Sequence, residues 1–348
     1  MKILHCAKER DYIQKTVYSD GGFAYEYESD FAKGLPAALG RCSVAGGCTD
    51  PEGNVYLAMR DPGQIVKLTP SGQFVKAFGG EILDSYIHFI YYHQGHKTII
   101  CTNTHGHEVL EFDLDGNLFR RFGEHGRPSD TGMDMGTLAR MRRDGKLFPT
   151  EPYLGVVPMW AFYVAQQGVK RVAGPFNMPT DAGVTRDGRY VFADGYGNRA
   201  VHIFNKDGGY EKTFGGVGDW SKPYEDTPGQ MLLVHALCVD QLDHIWICDR
   251  EKDAVHVFDT RGNVVGYCSG SMGSPSGVDT DGRYVYVVGR AGYLTVFDPE
   301  TMEIAAQLGT FNSDLRAHDI AADREGNLFL FPTHANEDHQ VIKLRRIK

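Results

Sequence analysis

The sequence predicts an all-β fold, a six-bladed β-propeller that forms a single domain over residues 1–348. Six segments repeat one rhythm of apolar strand, acidic turn, apolar strand, loop, apolar strand and glycine, beginning with GGCTDPEGNVYLAMR. The unit is about 40–45 residues long, which is the period of a four-stranded propeller blade. Equivalent second-strand positions fall at Tyr56, Ile100, Val191, Trp246, Tyr286 and Phe329.

The strands within each repeat show period-two alternation and are separated by Asp-x-x-Gly or Asp-Gly-Arg turns. The repeats account for residues 43–345, and the last one contains only three strands. We therefore expect the N-terminal extension, residues 1–42, to close the ring with a fourth strand. FAYEYES at 23–29 is the best candidate, because closure removes sheet edges that would otherwise be exposed.

Two insertions interrupt the repeats, a long one at 124–175 between blades 2 and 3 and a short one at 217–230. The long insertion exceeds an ordinary connection and is rich in large apolar residues, among them Trp160. Short helices are predicted near 134–143 and 160–168. The insertion is either a lid over a site, with Trp160 contacting substrate, or an oligomer contact, and the oligomeric state stays open.

Composition indicates a protein without a nucleic-acid or membrane partner. The formal net charge is −9 and no run of basic residues is present. No stretch of about 18 apolar residues occurs, and the N-terminus lacks an apolar region of signal-peptide length. The seven cysteines include no Cys-x-x-Cys, which favours free thiols over disulfides. We expect a cytoplasmic protein.

Three histidines stand at the same point of the repeat, at the head of the inner strand, in alternate blades: His88, His235 and His318. Alternate blades of a six-bladed ring lie about 120° apart, so the three side chains can converge on the axis. Zinc suits neutral imidazoles, and a catalytic zinc site typically has three protein ligands and one open position. The alternative is that each histidine is an ordinary polar residue of an inner strand.

Further polar residues are expected at the same mouth of the propeller as the histidines. In an antiparallel meander the start of the first strand and the end of the second lie at one edge of the sheet. Residues just past second strands are Arg60, Tyr196, Arg250 and Arg290. Both insertions follow fourth strands and also lie at this edge.

The segment FNMPTDAGVTRDGRYVFADGYGNRAVHIF resembles the third-blade signature of the peptidyl-alpha-hydroxyglycine alpha-amidating lyases, within the wider group of NHL-repeat propellers. The resemblance covers roughly residues 43–345 except the long insertion. Agreement extends to His235 in VHALCVD, to Asp249 and Arg250 in CDRE, to His318 and Asp319 in AHDI, and more weakly to His88 and Arg60.

The resemblance implies a reaction that splits the carbon–nitrogen bond of a carbinolamide into an amide and an aldehyde. It implies that the three matched histidines bind zinc and that Tyr196 is the base. Arg60 and Arg250 would orient the substrate or stabilise the phenolate. It also implies a structural calcium ion that uses Asp319 and backbone carbonyls. Asp319 is alternatively an inward carboxylate satisfied by backbone amides.

The chain departs from the family pattern at positions that bear on substrate. Asn177 and Gly197 stand where the family carries a cysteine pair, and Arg316 replaces a methionine two residues before the third histidine. Together with Arg290, Arg316 would attract a substrate carboxylate, which arginine binds bidentately. Arg316 pointing into solvent is the alternative.

Three classes of function remain open. The first is a zinc lyase acting on a small α-hydroxy amide. The second is a metal-dependent hydrolase or hydratase of an amide or lactone that uses the same histidines. The third is a non-catalytic NHL scaffold, in which Tyr196 packs as a turn aromatic and Arg250 forms an ion pair between blades. Six-bladed calcium lactonases are related, but their metal centre uses carboxylate and amide ligands.

Overall fold

The computed structural model describes residues 16–40, 42–133, 168–219, 221–333 and 340–348, and it confirms the predicted six-bladed all-β propeller. Strands in these ranges form six antiparallel sheets. The innermost strand of each sheet contacts the innermost strands of the two neighbouring sheets, and the last contacts the first. The sheets therefore surround a central channel.

Five blades are four-stranded meanders that run outward from the axis. Their strands are β3 (Ser43–Thr49), β4 (Val55–Arg60), β5 (Gln64–Leu68) and β6 (Phe74–Phe78) in blade 1; β7 (Ile90–His93), β8 (Thr98–Asn103), β9 (Glu108–Asp113) and β10 (Leu118–Gly123) in blade 2; β11 (Asp181–Val184), β12 (Tyr190–Asp194), β13 (Ala200–Phe204) and β14 (Tyr210–Gly215) in blade 3; β15 (Val234–Val239), β16 (Ile245–Asp249), β17 (Ala254–Phe258) and β18 (Val264–Ser269) in blade 4; and β19 (Pro275–Thr280), β20 (Val285–Gly289), β21 (Tyr293–Asp298) and β22 (Glu303–Gly309) in blade 5.

Blade 6 joins the two ends of the chain. Its own strands are β23 (Asp319–Ala322), β24 (Leu328–Phe331) and β25 (Ile342–Arg346). The N-terminal strand β2 (Phe23–Glu28) pairs antiparallel with β25, so the ring closes through the segment FAYEYES. A fifth strand, β1 (Val17–Asp20), pairs with β2 on the outside and has no counterpart in the repeat pattern.

The core is divided among the six interfaces between blades, each of which contains one apolar cluster. Neighbouring residues of a second strand serve different interfaces: Tyr56 packs toward blade 2 and Leu57 toward blade 6. This explains why the second strands are buried on both faces. Burying each large apolar side chain contributes about 1.5–3 kcal/mol.

The insertions are described in part. The predicted helices near 134–143 and 160–168, together with Trp160, lie outside the described residues, apart from residue 168 itself. The short insertion is a loop with a 3-10 turn at Tyr224–Asp226 and a parallel bridge between Val217 and Met231. Across the described ranges, no helix is long and apolar enough to cross a bilayer.

Candidate metal centre

The three histidines of the repeat lie at the heads of inner strands and are buried. His88 precedes β7, His235 is the second residue of β15, and His318 immediately precedes β23. The pairing register of β15 shifts between Val234 and Ala236, so His235 occupies a β-bulge. A bulge re-aims a side chain, here toward the axis.

The imidazoles form a nearly regular triangle. The ring centroids of His88, His235 and His318 are 4.8 Å apart in each of the three pairs. One nitrogen from each ring lies within 4.8 Å of the others. The structure therefore brings together the three residues that the repeat pattern predicted, in an arrangement that could hold one ion.

Each imidazole is oriented by a backbone carbonyl of the following blade. The Nδ1–carbonyl distances are 2.9 Å from His88 to Thr180, 2.6 Å from His235 to Ser276 and 2.7 Å from His318 to Ala45. A carbonyl only accepts hydrogen bonds, so Nδ1 carries the proton in all three rings and Nε2 keeps its lone pair. Metal-binding histidines are commonly fixed in this way.

The carbonyls that accept these hydrogen bonds and the imidazoles that donate them occupy equivalent positions of the repeat. The odd-numbered blades provide the carbonyls of Ala45, Thr180 and Ser276 at the head of the inner strand. The even-numbered blades provide the imidazoles at the same point. Each acceptor thus lies one blade beyond its donor, and the site has approximate threefold symmetry.

Burial keeps the three imidazoles neutral. Desolvation lowers the pKa of His88, His235 and His318 well below the usual value, and nearby arginines lower it further. Neutral imidazole is the form that binds a metal. The ligand set therefore carries no charge of its own.

Tyr196 stands against two of the three histidines. Its hydroxyl lies 2.8 Å from Nε2 of His88 and 3.1 Å from Nε2 of His235. Both nitrogens are acceptors, and the one hydroxyl proton can serve only one of them. A cation among the three Nε2 atoms would satisfy the remaining lone pairs, so the donor set suits a metal such as zinc.

The protonation state of Tyr196 depends on that cation. Burial raises the pKa of the Tyr196 hydroxyl and nearby Tyr86 raises it further, whereas Arg250, Arg60 and Arg290 lower it. The net effect is an increase, so the arginines alone do not produce a phenolate at neutral pH. A base role for Tyr196 requires the additional positive charge of an ion.

Three of the four predicted arginines act on the site. Arg60 is buried; its Nε donates to the carbonyl of Ile87 at 2.7 Å, and its guanidinium lies 3.9 Å from the centre of the Tyr86 ring. Its Nη2 is buried and has no hydrogen-bond partner among the residues that the structure describes. Arg250 is buried and donates to Glu251 at 2.8 Å. Arg290 is half-buried, whereas Arg316 is exposed.

Two residues of the site were not anticipated from the sequence. Tyr86 stacks on His105 and packs with Tyr196. Arg199 is buried, and its Nη1 donates to the carbonyls of Gly195 and Asn198 at 2.6 Å each, which holds the loop that presents Tyr196. Arg199 ends the DGYGNR motif, so the sequence contained a signal for it.

The two positions where the family carries cysteines are adjacent. The backbone N–H of Gly197 donates to the carbonyl of Asn177 at 2.9 Å. A Cβ atom at Gly197 would lie 2.1 Å from Asn177 Oδ1 and 2.7 Å from the Asn177 carbonyl oxygen, so a larger residue at 197 would require both atoms to move. Asp194 accepts the backbone N–H of Asn177 at 2.8 Å and further fixes this turn.

Asp319 lies near two other buried or half-buried carboxylates, those of Asp181 and Asp279. Its Oδ2 accepts the backbone N–H of Gly47 at 3.0 Å. Burial raises the pKa of Asp319 well above the usual value, and the charges of Asp181 and Asp279 raise it further. Mutual repulsion among these carboxylates favours either a proton or a cation near them.

Trp160, which the sequence predicted to contact substrate, lies in the part of the chain that is not described.

Comparison with known proteins supports the fold. No family model matches the chain, and no curated protein matches it. Among solved structures, a streptogramin B lyase aligns with a TM-score of 0.54 at 11% identity, covering 92% of this chain and 98% of the other. The virginiamycin B lyase of Staphylococcus aureus aligns with a TM-score of 0.53 at 14% identity, covering 96% of each chain.

A third structure is a catalytically inactive variant of the same Staphylococcus aureus lyase, with one histidine replaced by alanine, in the presence of quinupristin. It aligns with a TM-score of 0.55 at 11% identity, covering 92% of this chain and 99% of the other. These identities establish similarity of fold alone. These three are streptogramin-type lyases, so the amidating lyases remain a resemblance at the level of motifs.

Proposed function

We propose that this protein is a metal-dependent lyase that cleaves a carbon–nitrogen bond in a small α-hydroxy amide. The observation that carries the proposal is the convergence of three buried Nε2 atoms, each freed by an Nδ1 hydrogen bond to a carbonyl, around the hydroxyl of Tyr196. In a cluster that only stabilised the fold, we would expect the polar atoms to be paired by hydrogen bonds. Here three Nε2 lone pairs have one hydroxyl proton, that of Tyr196, between them. The lyase names of the fold neighbours are consistent with this class.

Zinc on His88, His235 and His318 would supply Lewis-acid stabilisation of negative charge on a substrate oxygen and would favour the phenolate of Tyr196. Tyr196 then removes the proton of the substrate hydroxyl. The carbon–oxygen bond becomes a carbonyl as the carbon–nitrogen bond breaks, and the departing nitrogen takes the proton from Tyr196. The products are an amide and an aldehyde, and Tyr196 returns to its starting form.

The arginines determine which substrates the site accepts. Within the described part of the chain the buried Nη2 of Arg60 has no hydrogen-bond partner, so it is available to a substrate oxygen. Arg250 and Arg290 add positive charge close to Tyr196. A carboxylate on the substrate would pair with this cluster, with Arg316 and Trp160 as further proposed substrate-binding residues. We therefore propose an N-acyl-α-hydroxyglycine or a similar small acid as the substrate, with calcium at Asp319 in a structural role.

The test is product analysis with an N-acyl-α-hydroxyglycine. A lyase releases the primary amide and glyoxylate, an acid whose second carbonyl group is an aldehyde. Tyr196→Phe should lower kcat by about 10²–10⁴-fold, the contribution of a general base, and should leave the metal content unchanged. Tyr56→Phe is the matched control, because this buried tyrosine donates to Asp50 in a turn of blade 1. Full activity of Tyr196→Phe would remove it from the mechanism.

The alternative functions give different results in the same assay. A hydrolase would place oxygen from isotopically labelled water in the carboxyl group of the acyl product, whereas the lyase produces no such acid. A scaffold would bind no stoichiometric metal and would tolerate loss of all three histidines. Either result would overturn the proposal.

A further inference from the structure

We propose that His93, His96 and Glu111 form a second metal site, separate from the axial centre, for a divalent first-row transition ion such as Zn²⁺ or Co²⁺. The site belongs to blade 2 and lies at the mouth opposite the axial histidines. His88 precedes β7 and His93 ends it, which places the two clusters about 17 Å apart along an extended strand.

One hairpin presents both histidines of this cluster. β7 ends at His93 and β8 begins at Thr98, and the turn between them is closed by the N–H of Lys97 donating to the carbonyl of His93 at 2.8 Å. Glu111 projects from β9, the next strand outward, on the same face as Thr98. His93 also lines a cavity of about 590 Å³ at this mouth.

The donor atoms are already spaced for coordination. Nδ1 of His93 lies 3.1 Å and Nδ1 of His96 lies 3.2 Å from the same carboxylate oxygen, Oε1 of Glu111. Zinc bonds of about 2.0–2.2 Å in tetrahedral geometry place neighbouring ligand atoms roughly 3.3–3.5 Å apart. Shifts of a few tenths of an ångström would admit the ion. His96 is partly exposed and leaves one side open to water.

The charge of Glu111 also favours a cation. Its side chain is fully buried, and its ion-pair partners in the described ranges are the two histidines, which are charged only when protonated. Glu108, on the same strand and equally buried, pairs instead with Arg121. The burial of Glu111 is offset by hydrogen bonds to His93, His96, Thr98 and Tyr190, so Glu111 is stable as an anion. A divalent ion between the two imidazoles would add a cationic partner to this anion.

Neighbouring hydroxyls hold the carboxylate in place. Thr98 Oγ1 donates to Oε1 of Glu111 at 2.5 Å, and the hydroxyl of Tyr190 in blade 3 donates to Oε2 at 3.0 Å. Hydrogen bonds of this kind orient metal ligands. A bound ion would therefore connect the hairpin of blade 2, through Glu111, to the interface with blade 3.

The experiment uses the full chain with all three axial histidines changed to alanine, so that the axial centre cannot contribute. Cobalt is titrated into the apoprotein and followed by its d–d absorption and by equilibrium dialysis. We expect one equivalent to bind. Adding His96→Ala or Glu111→Gln should abolish this binding. His125→Ala is the matched control, because His125 contacts the other buried glutamate, Glu108, at 2.9 Å.

Each outcome decides the proposal. Absence of cobalt binding in the axial triple variant overturns it, as does binding that survives either His96→Ala or Glu111→Gln. Circular dichroism of each variant verifies folding, and His96→Ala changes a partly exposed side chain. Failure of the axial centre would be visible separately: the unmodified chain would then bind one equivalent, lost on His96→Ala and unaffected by the axial substitutions.

Discussion

The two mouths of the propeller each carry a histidine cluster, but the clusters are built in different ways. At the axial mouth three blades contribute one histidine each, every ring is anchored to a neighbouring blade, and arginines surround the group. At the opposite mouth a single hairpin contributes two histidines that share one buried carboxylate. The axial ligand set is neutral, whereas the ligand set of the opposite cluster is anionic. A metal ion at the axis would therefore retain a larger net positive charge, which is the charge that stabilises a negative substrate oxygen.

The largest effect is expected from the loss of one axial histidine. His235→Ala should abolish turnover and axial metal binding, because two imidazoles and a tyrosine remain and the threefold arrangement is lost. The measurement is activity together with zinc content of the purified variant. Retention of both would show that His235 has only a structural role in blade 4.

A second prediction concerns Arg60, a buried cation of the axial mouth. Arg60→Met should raise KM for a carboxylate substrate, because a hydrogen bond to a charged group contributes about 1.5–3 kcal/mol. This energy corresponds to a change of about tenfold to 100-fold. Arg261→Met, at an exposed position in the turn between β17 and β18, is the comparison. An equal effect of the two substitutions would contradict the assignment of Arg60 to substrate binding.

A third prediction tests the support of the opposite cluster. Thr98→Val removes the hydroxyl that donates to Glu111 while preserving the shape of the side chain. Cobalt affinity in the axial triple variant should fall by about 10–100-fold, as for other residues that orient metal ligands. Unchanged affinity would mean that Thr98 does not orient the carboxylate.

The smallest expected effect is on stability and concerns Asp279, near the end of β19. Burial, with a smaller contribution from the charge of Asp281, raises the pKa of Asp279 to about 7. The folded state therefore holds this proton more tightly than the unfolded state, so stability falls as pH rises from about 4 toward 7 and then levels off.

Asp279→Asn should remove this dependence. With a chelator present, the variant should gain thermal stability over the unmodified chain at about pH 8 and gain less at about pH 5. Thermal unfolding followed by circular dichroism at both values is the measurement. An equal difference at the two pH values would contradict the raised pKa of Asp279.

The sequence predicted the parts of the molecule that repeat. The period of the strands predicted six blades, and the position of His88, His235 and His318 within that period predicted their convergence. The repeat could not predict the fifth strand Val17–Asp20, which lies outside it. It also could not reveal the carbonyl partners of the histidines, because a backbone acceptor leaves no mark on residue identity.

The opposite cluster was missed for a different reason. His93 and His96 are close in sequence, but Glu111 joins them only through the register of β8 against β9. Tyr86 was missed because it lies in the connection before His88, outside the strand pattern. Single residues in connections are visible only after the chain is folded.

Anomalous X-ray scattering from a crystal of the zinc-loaded protein, measured at the zinc edge, tests the central claim most directly. We predict a peak on the propeller axis within about 2.0–2.1 Å of Nε2 of His88, His235 and His318. Density on the axis without a zinc signal would contradict the metal centre and, with it, the proposed lyase.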